Sequence, residues 1–181
     1  MKNSSLISFA ILFLVLLSCQ SGGPPTSAEE ARELLVGKTW RVVDAGLLES
    51  SFREKKGDPF VHTITWLSTA TDLAPESREL VTPYLAATVV LEENKNPNDQ
   101  SGNVARLSGF GLQEKQSYYF TSTQEENAND RTVRLYVVSI YPDERIEKFA
   151  FTILGVSGKW ILLAGPPEMQ PRNLVLALEA Q

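Results

Sequence analysis

Histidine and cysteine are nearly absent from this chain of 181 residues: it holds one of each, His62 and Cys19. A lone cysteine closes no internal disulfide, and a lone histidine cannot build the usual His- or Cys-based zinc site, so neither a metal nor a cofactor is expected. Positive charge is in deficit too. Seventeen Lys and Arg against 22 Asp and Glu leave a formal charge of −5, which gives no electrostatic footprint for a phosphate backbone and removes nucleic acid as an expected partner.

Complete catalytic motifs are missing as well. Gly37-Lys38-Thr39 ends like a phosphate-binding loop, but Arg32 stands where that loop needs its first glycine. Gly155-Val156-Ser157-Gly158 brings its second glycine one residue too early for a nucleophile elbow. A Ser-His-acid triad could use only His62, which falls mid-strand among apolar neighbours. Hydrolysis therefore stays a minor reading, no catalytic residue is assigned, and the chain is expected not to be an enzyme. The acid pairs Glu92-Glu93 and Glu125-Glu126 sit in polar stretches and read as solvated loop charge rather than a calcium site.

Only one long apolar run is present. Leu6 to Leu17, behind Lys2 and broken only by Ser8, is too short to span a hydrocarbon layer of about 30 Å comfortably and reads as the core of a signal peptide. Leu16-Leu17-Ser18-Cys19 resembles the lipobox of bacterial lipoproteins. The resemblance implies cleavage before Cys19 and a diacylglyceryl group on its thiol, with the lipid bilayer as partner. The chain then divides into a signal peptide (1–18), a lipidated cysteine with a flexible tether (19–27) and a single domain (28–181). Gln20 stands where an Asp marks inner-membrane retention in enterobacterial lipoproteins. The resemblance thus implies a bacterial cell envelope location, at the outer membrane, on its periplasmic face or at the surface.

Ser27-Ala28-Glu29-Glu30 is a capping box that opens a helix reaching about Val36, where Gly37 stops it. The helix is expected to plug one end of the domain. Beyond it the pattern changes to strand period: Thr39 to Val43, Phe60 to Leu67, Tyr84 to Leu91, Ala105 to Phe110, Ser117 to Ser122, Thr132 to Tyr141, Ile146 to Leu154, Lys159 to Ala164 and Leu174 to Leu178. A short helix is predicted over Ala74 to Val81. Tyr141-Pro142-Asp143-Glu144 suits a type I turn and Val156 to Lys159 a tight one, so three successive strands form a meander. The expected fold is all-β and antiparallel, a closed barrel of about eight to nine strands with a short N-terminal helix; closure removes the sheet edges.

Leu34-Leu35-Val36-Gly37-Lys38-Thr39-Trp40-Arg41-Val42 resembles the start of the first strand in lipocalin-like (calycin-type) domains of bacterial lipoproteins. The resemblance implies that Trp40 is a structural plug at the barrel floor. A barrel of this size is either filled by side chains or holds one small ligand, and sequence leaves both open. Alternation places Phe60, His62, Ile64 and Trp66 on one strand face, and these four are the candidate ligand-binding residues, His62 supplying a polar contact inside an apolar cavity. The expected role is non-catalytic binding of a small hydrophobic ligand or an envelope component. The alternative is a structural or protein-interaction lipoprotein with a solid core.

Overall fold

The computed structural model describes residues 23–52, 61–71, 73–93, 103–110, 116–124 and 131–181. Cys19, the segment 1–18 expected to be a signal peptide, and Phe60 lie outside the described residues.

Helix α1 (Ala28–Leu35) begins where the capping pattern predicts. The Ser27 hydroxyl accepts from the Glu30 N–H at 3.0 Å. The Glu30 carboxylate reaches one residue further back than a capping box requires, accepting from both the N–H and the hydroxyl of Thr26. Gly37 ends the helix with φ +79°, a conformation costly for any residue with a Cβ. Nine strands follow: β1 (Thr39–Phe52), β2 (Val61–Trp66), β3 (Thr88–Glu92), β4 (Val104–Ser108), β5 (Gln116–Gln124), β6 (Arg131–Ile140), β7 (Ile146–Val156), β8 (Trp160–Ala164) and β9 (Leu174–Ala180). Between β2 and β3 lie α2 (Pro75–Val81) and a 3-10 turn (Thr82–Tyr84).

Eight strands close in the order β1-β3-β4-β5-β6-β7-β8-β9 and back to β1, every pair antiparallel. The fold is the closed all-β barrel the sequence predicts. Closure depends on the length of β1. One of its edges pairs with β9 from Trp40 to Leu47; the other takes β3 over Thr39–Arg41 and then β2 over Gly46–Phe52. The sequence pattern stops this strand at Val43, because Asp44 and Gly46 break the β-rich run. Two irregularities explain the continuation, one near Val42/Asp44 against β9 and one near Leu48/Ser50 against β2. Extra residues at such points bend and twist a strand without ending it. Gly46 is needed at the bend, where a Cβ would come within 2.5 Å of the Thr65 carbonyl oxygen.

Alternation fills the interior. Trp40, Phe151, Leu91, Leu135, Ile161 and Leu176, from six different strands, are almost fully buried. At the lower end, Ala31 and Leu35 of α1 close the floor over Trp40, whose indole N–H donates to the Leu35 carbonyl at 2.9 Å. The plug implied for Trp40 is thus in place with its polar atom satisfied. The cation over it is Lys38, 5.4 Å from the ring centroid, whose ammonium also caps the helix through the Leu34 carbonyl. At the upper end, Val81 is buried, Phe110 meets Phe151 edge-to-face at 6.2 Å, and Tyr84 lies tilted against Phe110 at 6.0 Å. The strand expected from Tyr84 starts only at Thr88, since Thr82–Ala87 closes on itself through Leu85 N–H to Thr82 O and Ala87 N–H to Tyr84 O.

Candidate functional site

Of the four residues predicted to contact a ligand, His62, Ile64 and Trp66 fall on β2, which pairs with β1 alone and is not one of the eight closing strands. Leu67 at the end of β2 is buried in the core, and Thr65 lies opposite Leu47, which packs against that core. Alternation then turns Trp66, Ile64 and His62 to the outer side of the β1–β2 ribbon, with Gly46 and Leu48. All three are half-buried. On the other side Thr65 is half-buried against Leu47, while Thr63 and Val61 are exposed, in keeping with the wetter face that the sequence marks.

His62 Nδ1 lies 2.9 Å from the Ser51 hydroxyl directly across the ribbon, and the two share a hydrogen bond. Burial holds this imidazole below its ordinary value of 6.5, so the ring is neutral near pH 7. A hydroxyl–imidazole contact is one part of a hydrolase constellation. Here it stands on a strand pair whose Ser51 is exposed to water, rather than in a concave site that would exclude it.

The interior holds polar residues that the pattern did not single out. Gln116 on β5 and Ser139 on β6 are 4% and 0% exposed, and the Gln116 amide nitrogen and oxygen and the Ser139 hydroxyl have no hydrogen-bond partner among the described residues. The register Ser117↔Val138 continues to set these two residues side by side on the inner face. A signal was available: Ser139 is in phase with Val133, Leu135 and Val137, and Gln116 with Tyr118. The pair borders the weakest seam of the barrel, since β4 meets β5 only at Val104↔Ser117 and Ala105↔Gln116.

Two concavities open outside the barrel. One lies beside α1, lined by Glu29, Arg32, Glu33 and Glu93; the other flanks α2, lined by Arg78, Glu79 and Pro83. In the first, Arg32 is held by Glu93 at 3.0 Å, a solvent-exposed pair. Eight large apolar side chains are exposed among the described residues, and six of them sit at the upper end: Phe52, Val61, Leu80, Leu85, Ile140 and Ile146. Phe52 pairs with Val61 and Ile140 with Ile146, so each pair tips a two-stranded ribbon. No group of three or more His, Cys, Asp or Glu suited to a metal ion occurs among the described residues.

No family model, no curated protein and no solved structure matches this chain. The architecture agrees with that of lipocalin-like barrels, and the function must be read from the molecule itself.

Proposed function

We propose that the protein is a lipid-anchored, non-catalytic protein of the bacterial cell envelope that binds an envelope component on its outer surface, with the barrel as a packed scaffold. The observation carrying this reading is the division of its apolar residues. Large side chains from the closing strands fill the interior, while apolar pairs stay uncovered at the tips of two ribbons. Exposed apolar groups at such positions are a usual mark of a contact surface. Anchoring rests on the lipobox resemblance at Cys19. Cys19→Ser should move the protein from the membrane fraction to the aqueous one. A photo-reactive residue at Ile140 should give a discrete cross-linked product in cells, lost on Ile146→Asp. Retention of Cys19→Ser in the membrane, or absence of any product from Ile140 and Phe52, would count against the reading.

A second reading has one specific observation in its favour. The unpartnered atoms of Gln116 and Ser139 are what the neutral polar head of a small amphipathic molecule would need, and the β4–β5 seam is beside them. Native mass spectrometry of the purified protein decides between the two: a stoichiometric small molecule, lost on Gln116→Leu, supports the second.

A further inference from the structure

The outer face of β5, β6 and β7 carries a feature that no sequence motif announces. Tyr118, Leu135, Val137 and Phe151 are buried in the barrel, so alternation sends Tyr119, Arg134, Tyr136, Lys148 and Ala150 outward. Tyr119 and Tyr136 are direct cross-strand partners with stacked rings, centroids 4.9 Å apart and 4° from parallel. Across the other edge of β6, the partner of Tyr136 is Ala150. The residue directly across from that second ring face is thus an alanine, and among the described residues no other ring is stacked on it.

Charge on this face is one-sided. Arg134 lies two residues before Tyr136 on β6, and Lys148 is opposite Val138, two residues beyond it. Neither makes an ion pair among the described residues, whereas Arg32, Arg106 and Arg145 each hold a glutamate. The only acid in the three strands is Glu147, of opposite phase and engaged by Tyr141 and Arg145. A protein with a net charge of −5 thus presents, among the described residues of these strands, a wall with two cations and no carboxylate. The two cations are separated by four residues along the sheet, about 13 Å at the usual rise per residue.

We propose that this wall binds an acidic polysaccharide. The uncovered face of Tyr136 takes the C–H face of a sugar ring, a flat apolar body with a polar edge, and Arg134 and Lys148 meet carboxylates on either side of it. The spacing of the cations selects a polymer over a single small anion, and the aromatic face selects sugar rings over an acidic peptide. Single-stranded nucleic acid could also use stacking and cations, but the choice of a glycan rests on the envelope reading above, which places the domain where acidic polymers are carbohydrate.

The test uses the full-length protein in detergent with polygalacturonate as probe, and dextran, polyglutamate and single-stranded DNA for comparison, read by affinity electrophoresis and calorimetry. Polygalacturonate should bind in a salt-sensitive way and at least about tenfold more tightly than the others. Tyr136→Ala and Arg134→Gln should each weaken it by about tenfold. Arg41→Gln, on β1, should not change it. Tyr136→Ala also removes a cross-strand stack, so Ala150→Phe is the second variant: it fills the space before the ring, keeps the stack, and should abolish binding with circular dichroism unchanged. Equal binding of polyglutamate, tighter binding of DNA, or polygalacturonate binding that survives both Ala150→Phe and Arg134→Gln would overturn the proposal. Fractionation of Cys19→Ser reports separately on anchoring, so a failed site and a failed envelope reading give different results.

Discussion

Ser139→Ala is expected to stabilise this barrel although it deletes a hydrogen-bonding group. The side chain is 0% exposed and its hydroxyl has no partner among the described residues. A hydroxyl taken from water without compensation costs about 1–3 kcal/mol. Alanine removes that cost and leaves a void of only one oxygen atom, so a net gain of about 1 kcal/mol is expected. For a domain of this size that is a rise of roughly 2–4 °C in the melting midpoint. Gln116→Met acts on two unpartnered atoms at once with little change of length, and its gain should be at least as large. Urea unfolding is the assay, with an unchanged slope showing that the native and unfolded states are otherwise the same. Because the two residues are neighbours, the double variant need not be additive. A loss of about 1 kcal/mol or more in Ser139→Ala would refute the reasoning, since only a bonded hydroxyl is missed in this way. The interior would then hold an occupant, and the amphipathic-ligand reading would replace the packed scaffold.

Three further outcomes follow from the same geometry. Trp40→Phe leaves the Leu35 carbonyl without its donor under the floor of the barrel, and should cost about 2–4 kcal/mol by urea unfolding, combining the lost bond with the smaller ring. Gly46→Ala forces a Cβ against the Thr65 carbonyl, which is backbone and cannot swing aside; a loss of about 1–3 kcal/mol is expected, and a neutral result would mean that β1 and β2 do not approach so closely. The His62 ring is lowered below 6.5 by burial, so the unfolded chain takes up the proton first as pH falls. Its contribution is present above that value and is lost as pH drops through it towards the lower folded value. The stability profile of His62→Gln should therefore be flatter below pH 6.5, and an NMR titration giving a folded value above 6.5 would contradict the sign.

Much of the fold was legible because it is written in alternation. Thr132–Tyr141 and Ile146–Leu154 carry their burial at every second residue, and both strands lie where that period puts them, joined by the expected turn at Tyr141–Glu144. Legibility failed where two-residue period fails. An irregular ladder beyond Val42 conceals the second half of β1, and a strand that turns a corner at Gly46 reads locally as a loop. The docking side of the candidate ligand residues was hidden for a different reason. His62, Ile64 and Trp66 do share a face, but which face meets the core depends on how β2 docks on β1, a long-range property that its own six residues do not contain. The Tyr119–Tyr136 stack was equally hidden, since aromatics in strands are core by default and only the register between β5 and β6 turns this pair outward.

On the proposed lipid anchoring, orientation at the bilayer follows from how the chain enters the barrel. The Val156 N–H donates to the Gly23 carbonyl, Pro25 is buried, and Thr26 is bonded to Glu30, so the segment is fastened to the domain from Gly23 onward. If Cys19 carries the lipid, the four residue steps to Gly23 can span at most about 14 Å. Gly23 is held at the C-terminal end of β7, the end that α1 closes, so the floor under Trp40 is turned to the bilayer. The exposed pairs Phe52–Val61 and Ile140–Ile146 lie at the other end. Ten residue steps of β7, from Val156 to Ile146, at the usual rise and tilt lift the Ile140–Ile146 tip by roughly 25 Å, and the longer β1 carries Phe52 at least as far. On the proposed anchoring those apolar tips are held away from the bilayer, and their exposure calls for a partner that comes to them. A fluorophore on Lys159, in the β7–β8 turn, should be quenched by spin-labelled lipid headgroups far more than one on Asp143, in the β6–β7 turn. Equal quenching at both would mean a barrel lying on its side, with its tips free to meet the membrane and no need of another component.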